Sequence, residues 1–352
     1  MQSLRLLAFR TIRSLQVRKA RRTFLLAMQA TASLRPFSSL QKDAAIGLSS
    51  LQRCLYNPAA PGSIYYPTLV FNGLQPEKSM RSIAVINQKG GVGKTTTTVN
   101  VAAALAESGQ RVLVIDMDPQ AHATLHMGIE LAPGETSIYE VLCGKTSIAE
   151  ATRKVEEHLS CAGSHIDLAA AEMELSNVEG RDLILRNRLQ EVADEYDFVI
   201  IDCPPSLGVL TINALAAVDE VILPMQPHFL ALHGLSKLLQ TIHLVAQQLN
   251  PSLQLMGVAF CMFDSGTRLA AEVSRDVEQF FDQSRGQQVP WAEAKVFASR
   301  IRRNIRLAEA PSFGRSIFNY APESNGAVDY RHMAAELLED RLGDDSRTRL
   351  AA

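Results

Sequence analysis

Residues 86–100 read INQKGGVGKTTTTVN, and the reading of this stretch decides the fold. Gly90, Gly91 and Gly93 let the backbone turn tightly and bring its N–H groups close to phosphate oxygens. Before them, Ile83-Ala84-Val85-Ile86-Asn87 is the short apolar run expected of a buried parallel strand. After them, Thr95 to Ser108 is alanine-rich and helical in pattern, with Gly109 placed as its C-cap. Strand, glycine loop and helix in that order make a phosphate-binding loop of the G-x-x-x-x-G-K-[ST] type. Two departures stand out: Gln88 holds the place of the first glycine, and an additional lysine, Lys89, precedes the glycine pair. Lys94 is placed to reach the β- and γ-phosphates of a nucleotide, and Thr95 offers a hydroxyl to Mg²⁺. The helix adds the positive end of its dipole. The nucleotide-binding candidates are Lys89, Gly90, Gly91, Val92, Gly93, Lys94, Thr95 and Thr96.

Two aspartate motifs lie further along. Arg111-Val-Leu-Val-Ile115 reads as a second buried strand that ends in Asp116-Met-Asp118-Pro-Gln120. Asp116 and Asp118 can hold metal-bound water or orient an attacking water. Phe198-Val-Ile-Ile-Asp202 is a third apolar run ending in a carboxylate that would bind Mg²⁺ through a water, and the Cys-Pro-Pro after it would shape a loop that senses the γ-phosphate. Further strands are expected at 166–169, 221–224 and 255–260, with helices at 181–196, 230–249, 270–281 and 327–342. Strand alternating with helix predicts an α/β fold: a mainly parallel sheet covered on both faces, in one domain. Ligands of such sheets bind beyond the carboxyl ends of the strands, where the loop and both aspartate motifs fall.

Composition bounds the remaining classes. The chain has 352 residues, is 47% hydrophobic and 20% charged, and holds no apolar run of the ~20 residues a membrane span needs. Its five cysteines are scattered without a C-x-x-C pair, which reads as reduced thiols of a cytoplasmic protein rather than a disulfide or metal framework. The net charge of −2 hides an asymmetry. Residues 1–79 carry eleven Lys or Arg against two Asp or Glu, so the remainder is acidic. That basic extension reads as a disordered tail, a mis-assigned start before Met80, or an organellar transit peptide. The recognisable domain is expected over 80–345, with a flexible tail over 346–352.

The motifs KGGVGKTT, VIDMDPQA, FVIIDCPPS, TINAL and RLAEAPSFG stand in the order and spacing of the ParA/Soj ATPases, and the resemblance covers about residues 81–345. It implies a P-loop ATPase that uses ATP and Mg²⁺, forms a homodimer on binding ATP, binds DNA without sequence preference and answers to a ParB-like partner in chromosome or plasmid partition. By the same resemblance Lys89 crosses the dimer interface to the partner's phosphates, Gly91 sits where the subunits approach, and Lys89, Lys94 and Asp118 are the catalytic candidates. Thr95, Asp116 and Asp202 form the Mg²⁺ surroundings. The implied place is the cytoplasm, on the nucleoid.

Five arginines, 300, 302, 303, 306 and 315, cluster near the C-terminus. Arginines matching Arg268 and Arg306 contact DNA in Soj-like proteins, so Arg268, Arg303 and Arg306 are the DNA-binding candidates; such contacts go to phosphate. The family usually has proline at the position of Arg302. His228 and His233 stand where relatives often have Glu, and 283–290 resembles a short insertion.

Rival readings remain within the superfamily. A MinD-like or other cargo-positioning ATPase would need a basic amphipathic C-terminal helix, whereas this chain ends GDDSRTRLAA. An Mrp-like iron–sulfur carrier would need paired cysteines. A small-molecule ligase of the cobyrinate type would need a second substrate pocket.

Overall fold

The computed structural model of the protein describes residues 80–132, 134–228 and 231–351, with side chains described outside 231–233 and 341–351. The basic extension 1–79 lies outside the described residues, as does the His233 side chain.

Nine strands of the described residues join one sheet in the order β3-β4-β2-β5-β1-β6-β7-β8, with β9 paired to β7. They are β1 (Arg81–Val85), β2 (Val112–Asp116), β3 (Thr152–Glu156), β4 (Leu159–Ala162), β5 (Phe198–Asp202), β6 (Glu220–Met225), β7 (Gln254–Phe263), β8 (Lys295–Val296) and β9 (Ile301–Arg302). Every pairing is parallel except β3 with β4, which closes one edge. The helices are α1 (Lys94–Glu107), α2 (His122–His126), α3 (Ile138–Leu142), α4 (Ile148–Ala151), α5 (Leu168–Glu174), α6 (Ile184–Leu189), α7 (Val209–Ala217), α8 (Ala231–Gln248), α9 (Arg268–Ser284), α10 (Ile305–Glu309), α11 (Ile317–Tyr320) and α12 (Asn325–Ala351).

Alternate residues of the central strands feed two cores, because successive strand side chains point to opposite faces. Ala84, Leu113, Ile115, Val199 and Ile201 pack with residues of α3 to α9. Ile83, Val85, Val112, Val114 and Ile200 pack with Val99 to Ala106 of α1 and with Tyr330, Met333 and Leu337 of α12. Helix α1 is therefore nearly buried all round, which explains its alanine and threonine content: small side chains let it lie close to the strands.

The expected architecture holds, and several elements differ from expectation. The strand expected at 166–169 is displaced to β4: Leu159, Cys161 and Ala162 are buried beside β2, whereas Ile166 is 55% exposed and precedes α5. The helix expected over 181–196 is broken into a 3₁₀ turn at Arg181–Leu183, α6 and a second 3₁₀ turn at Gln190–Val192. The stretch 283–290 leads from the end of α9 to Trp291, which is 2% exposed and anchored in the core. Helix α12 continues to Ala351, through residues expected to form a tail.

Candidate functional site

The phosphate loop runs from the end of β1 to the start of α1. Gly91 (φ 70°) and Gly93 (φ 98°) take left-handed conformations that a side chain would strain. Gly93 caps α1, and its carbonyl accepts the N–H of Thr97 at 2.8 Å. Val92 and Lys94 are buried, while Lys89, Gly90 and Gly91 are exposed, with open space where the two glycine side chains would be. The loop is braced from β6: Gln226 Nε2 donates to the Gly91 carbonyl and to Met262 Sδ, each at 2.9 Å. The Lys89 ammonium contacts His228 Nε2. Partial burial, then the Lys89 charge, lower the His228 pKa, so its neutral ring accepts from the lysine. Neither Gln226 nor His228 was assigned this role from sequence. Their only signal was the QPHFLALHG segment after an apolar run.

Sheet register brings the two aspartate motifs together. Asp116 of β2 and Asp202 of β5 are direct neighbours, and both are fully buried. Asp202 accepts from Thr95 Oγ1 at 2.7 Å and Thr98 Oγ1 at 3.0 Å. Asp116 accepts the Asp118 N–H at 3.1 Å, and the Thr124 N–H and hydroxyl at 2.9 and 2.7 Å. Burial first, then the Asp116 charge, push the Asp202 carboxyl up; Thr95, Thr98 and Lys94 oppose the shift. Burial also raises Asp116, against the Thr124 hydrogen bonds. Two adjacent carboxyls in a dry setting disfavour ionising together, and a cation beside them would offset that. The hydroxyl of Thr95 and the carboxylate of Asp202 are hard oxygen donors of the kind a small divalent cation takes. Asp118 sits just outside, 8% exposed, its Oδ1 accepting the Gln120 N–H at 2.9 Å.

Beside the loop lies a mainly apolar cavity of about 380 Å³, lined by Gly93, Thr96, Cys261, Met262, Arg302 to Ile305 and Tyr330. Met262 adopts φ 51°, a strained left-handed conformation at a register shift between β7 and β9.

The arginines divide. Arg300 is engaged inward: it reaches Glu278 at 3.2 Å and lies over the rings of Phe260 and Phe263. Arg302 pairs with Asp329, and Arg303 lines the cavity. Arg268 at the start of α9 and Arg315 are exposed, and Arg306 is exposed with an ion pair to Glu309 at 2.8 Å. Of the run, only Arg300 is drawn inward; Arg302, Arg303, Arg306 and Arg315 are exposed. Cys203 is fully buried, and among the described residues no group of three His, Cys, Asp or Glu is placed to hold a metal ion. None of the helices searched is long and apolar enough to cross a membrane.

Comparison with known proteins gives the family. The model of a family described as an AAA domain matches residues 80–255. The sporulation initiation inhibitor protein Soj of Bacillus subtilis is 44% identical over 256 residues, 72% of this chain and 97% of that protein. The chromosome partitioning protein ParA of Myxococcus xanthus is 43% identical over 272 residues, 77% of this chain and 92% of that one. Among solved structures, cobyrinic acid a,c-diamide synthase of Mycobacterium smegmatis, with bound ATP analogue and magnesium, superposes with TM-score 0.62 at 38% identity, covering 74% of this chain and 94% of that one. With the deviant glycine loop on β1 and paired aspartates on β2 and β5, the chain belongs to the ParA/Soj family of P-loop ATPases.

Proposed function

We infer that the protein binds Mg·ATP in the loop 88–96, closes as a dimer around two nucleotides, binds DNA in that state, and releases it on hydrolysis stimulated by a ParB-like partner. Its work would be chromosome or plasmid partition, in the cytoplasm and on the nucleoid. The reading is carried by one observation: Thr95 donates to Asp202, and Asp116 stands beside Asp202 in the sheet register, at the mouth of a glycine loop whose exposed residues include Lys89.

Magnesium, when bound, would offset the charge developing on the transferred phosphoryl group. Thr95 and Asp202 would hold it, with Asp116 in the outer shell through the network it shares with Thr124. Lys94 would bind the phosphates from within the same chain. Asp118 would orient the attacking water. Lys89, now on His228, would leave that ring and reach the phosphates of a second chain, across the open space over Gly90 and Gly91. A cation lent from each side makes the nucleotide the adhesive of the dimer, so hydrolysis becomes a timed release. The cavity beside Gly93 would take the base. Arg268, Arg303 and Arg306, all exposed, are the proposed phosphate contacts to DNA, and Arg303 also lines the cavity.

Light scattering with a non-hydrolysable ATP analogue and Mg²⁺ tests the reading. The wild type should double in mass, and Lys89→Ala should bind the analogue yet stay a single chain. A wild type that stays single removes the switch. The name of the Mycobacterium smegmatis structure favours a second reading, ATP-dependent amide formation on a corrinoid. ATP consumption that requires cobyrinic acid and proceeds without DNA or a partner protein would establish it instead.

A further inference from the structure

The contact between Arg302 and Asp329 is denser than an exposed basic surface requires. Asp329 is 6% exposed. Arg302 donates to it from the backbone N–H at 2.9 Å, from Nε to both oxygens at 3.1 Å and from Nη2 at 2.6 Å. The reason lies in β9, which is two residues long and joins β7 across a register shift. Such a strand supplies few ladder bonds, so the segment 302–305, one wall of the cavity, needs another anchor. Helix α12 provides it through Asp329. The next residue of α12, Tyr330, is buried, and its hydroxyl lies 3.1 Å from Thr97 Oγ1 of α1. Thr97 in turn donates its N–H to the carbonyl of Gly93, which also lines the cavity. Two consecutive residues of one helix thus contact two of the segments that line one cavity.

We propose that Asp329 and Tyr330 form a bracket that sets the width of the cavity beside the phosphate loop, with Arg302 as its positioning residue, and so fixes where the base of a bound nucleoside triphosphate lies. The proposal rests on the nucleotide-binding reading above. A planar guanidinium locked on a carboxylate orients the backbone that carries it, which a flexible ammonium does not. A wall held in place beforehand spares the ordering cost that binding otherwise incurs. Ile305, 67% exposed at the cavity rim, would be covered by the base.

Calorimetric titration of the full chain with ATP and, separately, with inorganic tripolyphosphate tests this. The wild type should bind ATP more tightly than tripolyphosphate. Arg302→Ala should lose about tenfold in ATP affinity and keep its tripolyphosphate affinity. Asp329→Asn retains an acceptor for the Arg302 N–H and should lose less; Arg302→Lys should recover part of the loss. These milder variants carry the test if Arg302→Ala fails to fold. Equal losses for both ligands, or no loss for either, would overturn the bracket and leave nucleotide binding intact. A wild type that binds tripolyphosphate as tightly as ATP would remove the base from the cavity and the bracket with it. A wild type that binds neither ligand would sink the nucleotide reading itself.

Discussion

Strand β5 and the arginine segment 300–315 are both short, and sequence reading treated both as functional, yet they turned out differently. Phe198–Asp202 is buried at every position between β1 and β2, and its terminal carboxylate falls beside Asp116 as the motif implies. The arginines of 300–315 take different partners: Arg300 is drawn against Glu278, while Arg302, Arg303, Arg306 and Arg315 are exposed, Arg302 paired with Asp329 and Arg306 with Glu309. An apolar run buried on both faces has only one kind of place to go in an α/β sheet. A charge on a two-residue strand takes its role from whatever packs against it. Here those partners lie 22 and 27 positions away in the chain.

The largest expected effect sharpens the first side of that comparison. Lys94→Ala should weaken ATP binding on the order of a hundredfold by calorimetry, since a buried charge-assisted phosphate contact is lost. A loss below threefold would mean that the loop does not hold phosphate.

A second effect sits where the arginine segment meets α2. Gly128 and Gly314 touch so closely that a Cβ on either would lie within 3 Å of the other's backbone, and nearby His126 is buried with Nε2 unpartnered. Burial lowers the His126 pKa to about 4, and the Arg315 backbone opposes that only in part. The native state thus holds the ring neutral while the unfolded chain protonates it near 6.5. Stability from this group is present above pH 6.5 and lost as the pH falls toward about 4, by roughly 3 kcal/mol at most. His126→Gln should flatten that part of the melting-temperature profile. An unchanged profile would place the acid sensitivity elsewhere.

The smallest effect tests the second side. Arg306→Glu should weaken DNA binding about tenfold and reduce the salt dependence, with the melting temperature nearly unchanged because the Glu309 pair is exposed. If Arg306→Glu bound DNA as before, Arg306 would be removed from the DNA surface, and the comparison would shift toward the nucleotide cavity.

Legibility followed the same line. The strands β1, β2, β5, β6 and β7 and the helices α1, α8 and α9 were readable within a few residues, because burial on one or both faces writes a periodic pattern. Strand β4 was missed because its four residues, Leu159–Ala162, are too few to show one. The break in 181–196 was missed because an amphipathic pattern persists through 3₁₀ turns. Gln226 and His228 were missed as site residues since their roles arise from contacts more than 130 positions away.

By itself the sequence determined the strand–loop–helix at residues 81–107, the phosphate-binding chemistry of Gly90 to Thr95, and the carboxylates at the ends of two strands. Local glycine conformations and continuous apolar runs dictate those with little help from the rest of the chain. Only the tertiary structure decided that Asp116 and Asp202 stand side by side, that Lys89 rests on His228, and that the exposed Arg302 is held on the buried carboxylate of Asp329. Each of these depends on sheet register or helix docking, which sum many small burial energies over distant residues and leave no mark in any single stretch.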